Sequence, residues 1–564
     1  MIRAKHLSIT VGALFFGYAI ALFCYGYVAM EDPAYIWDWG LYYRFYQHFG
    51  ALLPADAGAW AKEMARSVRA DDYNASSIAL LFPFHMAFGA SRAGYILAIV
   101  ACFLLPAALI SAALSIRSAR QYGLGNSDTS AIFVVIATVC FPPFWQATLR
   151  GMPDIAGLIP LGIATWLILR SDFLSRQTVR TAIAVGALLW TAFLLRRWYA
   201  YACLALIVCT FVVTTVRLAY ESQNRPARMR EMAIAFPIIV GVAGVLLFAF
   251  QRDLAYRVLT TSYSDLYVAY QTPWLDQLSL LYRRIGPFYA AAFAIGLIVA
   301  VVALSTPILF MAAAAFLTCF LFSRTQAPSV QHGLPMFFWG LPVAMFGFLW
   351  VLSLLPATLR TVAAVTGVLV SVAIFAVALL PGPNAALPAI AALAPRETYF
   401  PLKVENYPEY QRLIAELKGL TADGDKFAVF ASSPILSDSL LDALDQTMGS
   451  RIAWASQVDE RDGLGLQAIR AKYAVVADPV PLHLPETSQR VVTVPAAHIL
   501  EGSGFGAAYS KLAGPFDLAQ GRKAFIFART GPLEEAQIRA LETELAGYHS
   551  GWAWDGVDLV SKRQ

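Results

Sequence analysis

Residues 285–322 read IGPFYAAAFAIGLIVAVVALSTPILFMAAAAFLTCFLF, without one Asp, Glu, Lys, Arg or His. A helix needs roughly 20 apolar residues to cross a ~30 Å hydrocarbon core. The run is therefore long enough for two crossings, 285–304 and 306–322, joined by a bare turn. Outward from it, further apolar runs lie near 8–30, 93–115, 130–146, 154–170, 181–196, 198–216, 232–250, 335–355 and 361–381. The reading is a polytopic α-helical bundle of about eleven spans. The fifth run is short and the eighth and ninth touch, which leaves ten or twelve open. Composition agrees, with 58% hydrophobic residues, 14% charged and a mean hydropathy of +0.58. Soluble chains carry about a quarter charged residues, so an ordinary cytosolic enzyme is excluded, as is a disordered chain.

Charge divides the chain. Residues 1–381 hold 25 Lys/Arg against 15 Asp/Glu, a net +10, and residues 382–564 hold 17 against 22, a net −5. The basic excess thus belongs to the membrane part and sets topology; no Lys/Arg-rich segment suggests nucleic acid. With the N-terminus inside, the short inner segments carry Arg3, Lys5, Arg117, Arg120, Arg170, Arg176, Arg180, Arg217, Arg225, Arg228, Arg230 and Arg360. The acids beside them are Asp128, Asp172, Glu221 and Glu231. An odd number of spans then places the C-terminal part outside. The first run resembles a signal sequence but lacks a small-residue cleavage site, so it reads as a retained anchor. The six cysteines all fall in apolar runs, and no disulfide framework or CxxC metal site is implied.

Two outer loops are substantial, 31–92 and 251–284, both rich in Tyr and Trp as interfacial helices are. After residue 381 the pattern changes to short β-type runs at 426–431, 473–477, 490–494 and 524–528. They alternate with helical patterns at 407–420, 437–444 and 534–545. This predicts a bundle domain over 1–381 and an extracytoplasmic α/β domain over 382–564.

Ionisable residues beside a bilayer are costly and ask for a reason. Glu31, Asp32 and Asp38 follow the first span, interleaved with Tyr35, Trp37 and Trp39. Partly desolvated carboxylates are suited to accepting a proton, although Asp38 could equally cap a helix. Asp71 and Asp72 could hold a sugar hydroxyl or a divalent cation, or simply solvate a turn. Arg150 and Asp154 sit in a Gly/Pro turn, either as a phosphate and hydroxyl clamp or as an internal ion pair. Arg196 and Arg197, outside against the positive-inside trend, suit a lipid phosphate. Arg324 and His332 follow the ninth span, the latter a candidate proton carrier or sugar contact. No HExxH, GxSxG or Cys/His nucleophile pair occurs, which disfavours a covalent hydrolase. What remains is acid–base chemistry with phosphate binding next to lipid.

Glu31-Asp32 followed by Tyr35 and Trp37 resembles the acid–acid–x–x–aromatic entry motif of the GT-C superfamily of integral-membrane glycosyltransferases. The turn from Arg150 to Asp154 resembles the acidic site in the second outer loop of several members. The resemblance implies a sugar donor on a polyprenyl phosphate, such as undecaprenyl or decaprenyl phosphate, in a bacterial cytoplasmic membrane. It implies a glycan, lipid-linked glycan or protein acceptor at the outer face. It further implies an aspartate of the first outer loop as general base, usually with inversion, and Arg150, Arg196, Arg197 and Arg324 on the donor phosphate. Asp71, Asp72, Asp154, Tyr35, Trp37 and His332 would contact sugar or acceptor. Some relatives use a divalent cation such as Mg or Mn and others do not, and the sequence leaves both open. Asp38 competes with Asp32 for the base role. The competing readings are a polymerase or ligase acting on diphosphate-linked oligosaccharides, a lipid-linked-sugar transporter, and an assembly scaffold. A transporter would place charge at the bilayer midplane and show an inverted repeat, and neither is found.

Overall fold

The computed structural model describes residues 2–170, 173–220 and 224–548. Asp172 and Glu221, named above at the inner face, lie outside the described residues, as do the side chains of Arg3 and Lys5. The chain forms two compact units. One comprises Met1–Ala29, Leu41–Thr261 and Thr272–Pro401, and the other Met30–Gly40, Ser262–Gln271 and Leu402–Gln564.

The first unit is helical. Among the described residues, nine helices are long and apolar enough to cross a membrane: Arg92–Arg120, Asp128–Leu149, Pro153–Arg170, Arg197–Tyr220, Arg225–Phe250, Trp274–Val302, Thr306–Ser323, Leu334–Ser353 and Ala357–Leu379. Two shorter apolar helices, Leu14–Ala29 and Val179–Leu195, match the remaining runs read from the sequence. The protein is an integral membrane protein. Only 17% of the apolar window of Arg225–Phe250 is buried against 78% of that of Asp128–Leu149, so the former turns its apolar surface outward and the latter is packed inside the bundle.

Close helix contact depends on small residues here. A Cβ on Gly296 would stand 1.9 Å from the Val343 carbonyl oxygen, and one on Gly347 2.2 Å from that of Ala292. Trp274–Val302 and Leu334–Ser353 therefore touch backbone to backbone, as small residues permit in apolar surroundings. Gly296→Val is expected to lower the unfolding temperature in detergent, at a cost of about 1–3 kcal/mol or more for overpacking. Unchanged melting would refute the contact.

The sequence placed the domain boundary at 381, whereas the bundle unit continues to Pro401. The reason is local. Gly286 interrupts its helix at φ +77, and a Cβ there would stand 2.6 Å from the backbone of Ala394 and Pro395. The Arg396 N–H donates to the Arg283 carbonyl at 2.7 Å, and Arg284 pairs with Glu397 at 2.9 Å. Residues after the last span are thereby tied back to the bundle.

The second unit is built on a four-stranded sheet of order β1-β2-β4-β3: β1 Phe427–Val429, β2 Tyr473–Asp478, β3 Tyr509–Asp517 and β4 Lys523–Arg529. β1 and β2 run parallel, and the other pairs antiparallel. Alternation divides its core between two faces. Phe427, Val429 and Val475 join Leu413, Leu417 and Leu440 on one, while Ala428, Ala474 and Val476 join Ile499, Phe505 and Leu541 on the other. Ala34 and Ile36 are buried in the first of these cores, so the segment after the first span is an integral part of this unit.

The run 490–494, expected as a strand, opens the helix Arg490–Glu501 instead. The Asp459 carboxylate accepts the N–H groups of Arg490 at 3.0 Å and Val491 at 2.9 Å. A remote cap for the first-turn donors outweighs the β preference of Val491, Val492 and Val494. β3 was not anticipated; its register shifts twice against β4, which breaks the alternation that betrays a strand.

Candidate active site

Asp154 opens a tight turn, Pro153–Gly157, that feeds the helix Leu158–Arg170. Its side chain is fully buried. One carboxylate oxygen accepts the Arg196 Nε–H at 2.7 Å and the Trp198 indole N–H at 3.0 Å. Tyr199 donates its hydroxyl to the Asp154 carbonyl at 2.9 Å. The second carboxylate oxygen is buried without a hydrogen-bond partner. Arg196 lies in extended backbone between Val179–Leu195 and the turn Arg197–Tyr199, which directs its guanidinium inward. There it bonds the Tyr42 hydroxyl and stacks 5.0 Å from the Tyr42 ring centroid and 4.8 Å from that of Tyr73.

Arg197 pairs with Asp72 at 2.7 Å, and Arg257 holds the other Asp72 oxygen at 3.0 Å. His332 packs edge-on against Trp198, with centroids 5.1 Å apart. Burial pushes its imidazole well below the usual range, and the charges of Arg196, Arg284 and Arg197 push further in the same direction. The Ser329 backbone N–H reaches Nδ1 at 3.3 Å. Because a backbone N–H only donates, His332 is neutral with its proton on Nε2. Asp154, Arg196, Arg197, Asp72 and His332, chosen separately from the sequence, thus form one network in the bundle.

The other bundle candidates stand elsewhere. Arg150 donates to the Phe400 carbonyl at 2.8 Å and to the Tyr27 hydroxyl at 3.2 Å, which makes it a clasp for the chain after the last span. Asp71 caps the end of the helix Ala57–Ala70, and Arg324 is exposed just past Thr306–Ser323.

Glu31, Asp32, Tyr35, Trp37 and Asp38 belong to the sheet unit. Asp32 accepts the Val404 N–H at 2.8 Å and pairs with Lys403 at 3.3 Å, while its own N–H donates to the Leu402 carbonyl at 2.9 Å. Glu31 accepts the Leu402 N–H at 3.3 Å and the Tyr35 hydroxyl at 3.2 Å. Trp37 sits at φ +49, a costly conformation for a bulky residue. It is held there by its N–H to Ser439 Oγ at 2.8 Å and its indole N–H to Gln457 at 3.2 Å. Asp38, next in sequence, begins the helix Asp38–Ala55.

Around Trp37 gathers a polar cluster that the sequence did not disclose. The His483 ring lies 5.2 Å from that of Trp37. Its Nε2 is 3.3 Å from the Tyr270 hydroxyl, which accepts from Arg461 at 3.0 Å. Burial raises the Tyr270 phenol, opposed by Arg461 and reinforced by Asp462, Tyr267 and Asp38. Beneath lies Asp438, which accepts N–H groups from Ser439 and Ala455 and the side-chain amide of Gln457. Burial raises it from 3.8 to about 7. An acid raised in this way binds its proton more tightly folded than unfolded, so its contribution favours folding below 3.8 and is lost as pH rises towards 7. Asp438→Asn is therefore expected to gain stability over wild type at pH 8 relative to pH 5, read as the difference in unfolding temperature. An identical pH trend in both proteins would refute this.

Among the described residues, no three His, Cys, Asp or Glu side chains gather as a metal site requires. Both Asp72 oxygens face arginines, and Asp32 is engaged by Lys403 and Val404.

No family model matches the chain, and no curated protein matches it. Among solved structures it is similar to ArnT from Cupriavidus metallidurans bound to undecaprenyl phosphate. That pair shares 13% identity over 91% of this chain and 98% of that one, with a TM-score of 0.49. The apo state of the same protein aligns at 14% identity over 92% and 98%, with a TM-score of 0.46.

Proposed function

We propose that the protein is a GT-C-type membrane glycosyltransferase that moves a sugar from a polyprenyl phosphate to an acceptor hydroxyl at the outer face. The observation that carries this reading is the paired arginine Arg196–Arg197, fixed by Asp154 and Asp72 at the end of the spans. Guanidinium groups preorganised by one buried and one half-buried carboxylate and by aromatic faces are suited to a phosphate whose charge grows as it leaves. The acceptor oxygen attacks the anomeric carbon while a carboxylate takes its proton. The bond from that carbon to the phosphate oxygen breaks, and the polyprenyl phosphate departs with the electron pair. A phosphate leaves without a strong general acid.

Asp38 is the proposed base. Asp32 spends its oxygens on Lys403 and Val404, and Glu31 spends one on Leu402 and the other on Tyr35, which supports a structural role for both. Asp38 adjoins the strained Trp37 and contributes to the electrostatics of Tyr270, beside the polar cluster of His483 and Arg461. The test is sugar transfer or release in detergent from a panel of polyprenyl-monophosphate sugars, with wild type beside folded Asp38→Asn. Turnover by wild type alone supports the assignment. Activity confined to diphosphate-linked oligosaccharides would replace it with the polymerase or ligase reading.

A further inference from the structure

The helices Pro153–Arg170 and Arg197–Tyr220 start at the Asp154–Arg196 network and end together at the opposite end of the bundle. There a cavity of about 130 Å³ is lined by Arg117, Ser118, Gln121, Arg217, Thr306 and Pro307 over an apolar floor that includes Leu114 and Ile168. Its volume is several times the ~30 Å³ share of a single water. Two guanidinium groups from different helices face it, and no carboxylate lines it among the described residues. Arg117 is braced 5.5 Å from the Trp166 ring centroid, and its Nε is buried without a hydrogen-bond partner. Arg217 is steadied by the Ser175 hydroxyl at 2.6 Å, and Arg228 bonds the Ser175 carbonyl.

Thr306 and Pro307 are the first residues of the helix Thr306–Ser323, whose N-terminus adds partial positive charge to the same wall. The preceding residue, Ser305, is fully buried, makes no side-chain cap, and its Oγ has no hydrogen-bond partner. Two half-buried cations and a helix N-terminus around one partly open cavity repel one another, and partial removal from water weakens the screening of that repulsion. A tetrahedral oxyanion inside would convert the repulsion into charge-assisted hydrogen bonds.

We propose that this cavity, lined by Arg117 and Arg217, is a binding site for a phosphate group, distinct from the Asp154–Arg196 network at the other end of the bundle. The positive-inside distribution of arginines places it at the inner face. The phosphate can come from an anionic lipid headgroup or from a free phosphate, since both present the same oxygens to the two guanidinium groups.

The full chain, in phosphatidylcholine nanodiscs, is titrated with inorganic phosphate and, in parallel, reconstituted with phosphatidylglycerol. Thermal unfolding and native mass spectrometry report binding. Wild type is expected to be stabilised and to carry the adduct. A response to phosphatidylglycerol alone identifies a headgroup, and a response to inorganic phosphate identifies a free phosphate. Arg117→Gln is expected to weaken the response about tenfold or more. Gln121→Glu, at an exposed lining position, puts a carboxylate at the site without touching the core and is expected to do the same. Arg120→Gln, the neighbouring arginine outside the lining, is expected to behave as wild type. No stabilisation of wild type by either probe, or a response undiminished in either lining variant, would overturn the proposal.

Discussion

Asp154→Ala is expected to destabilise the bundle by about 3–5 kcal/mol, because removing one partner strands a charge that burial has already stripped of water. Arg196 is only 4% exposed, and Asp154 supplies its carboxylate partner at 2.7 Å. The Trp198 indole N–H loses its acceptor in the same substitution. The double variant Asp154→Leu with Arg196→Met separates structure from chemistry. Replacing both members of a buried pair by apolar residues of similar size is often neutral or stabilising. Melting in detergent is therefore expected to return towards wild type in the double variant while sugar transfer stays abolished. Transfer that recovers together with stability would reduce the pair to a packing device and remove it from the phosphate site.

Asp38→Asn is expected to lower kcat by about 10²–10⁴, the usual contribution of a positioned general base. Asp32→Asn is expected to behave in the opposite sense. Its carboxylate receives the Val404 N–H and the Lys403 ammonium, so neutralising it weakens the join between residues 30–40 and 402–404. Charge-assisted hydrogen bonds of this kind contribute about 1.5–3 kcal/mol. The two variants are compared by initial rate and by unfolding temperature in one detergent. A catalytic collapse in Asp32→Asn without loss of stability, with Asp38→Asn fully active, would transfer the base role to Asp32.

The spans were legible because their signal is local: an apolar run of sufficient length needs no distant partner to be recognised. The helices Tyr407–Leu420 and Asp438–Leu444 were legible for a similar reason, since periodicity and the Ser437 cap lie within the segment. The helix at Arg490 was not, because its deciding contact comes from Asp459. The same division holds at the candidate site. Arg196, Arg197 and Asp154 stood out as charges beside apolar runs, yet nothing in the sequence joins Asp154 to Arg196 rather than to Arg150. Tyr42 and Tyr73 were visible only among the interfacial rings of the loop 31–92, and Trp198 only as the start of an apolar run. His483, Arg461 and Asp438 lie too far from Trp37 in sequence for any motif to connect them. Glu31 and Asp32 read as chemistry because the residues that occupy them, 402–404, come some 370 positions later.

Those last bonds impose a parity rule on how the chain threads the bilayer. The Asp32 N–H donates to the Leu402 carbonyl, so both must emerge on one side and the crossings between them must be even in number. Tyr270 and His483 fix a second such pair through the same unit. Between Asp32 and Tyr270 lie the long helices Arg92–Arg120, Asp128–Leu149, Pro153–Arg170, Arg197–Tyr220 and Arg225–Phe250, an odd count by themselves. The seventeen-residue helix Val179–Leu195 makes it even. Four more long helices carry the chain on to Leu402, and again the total is even only with Val179–Leu195 included. Counted as crossings, the candidate helices among the described residues balance only with this short helix included, which agrees with its reading as a span from the sequence and puts Arg196 at its end.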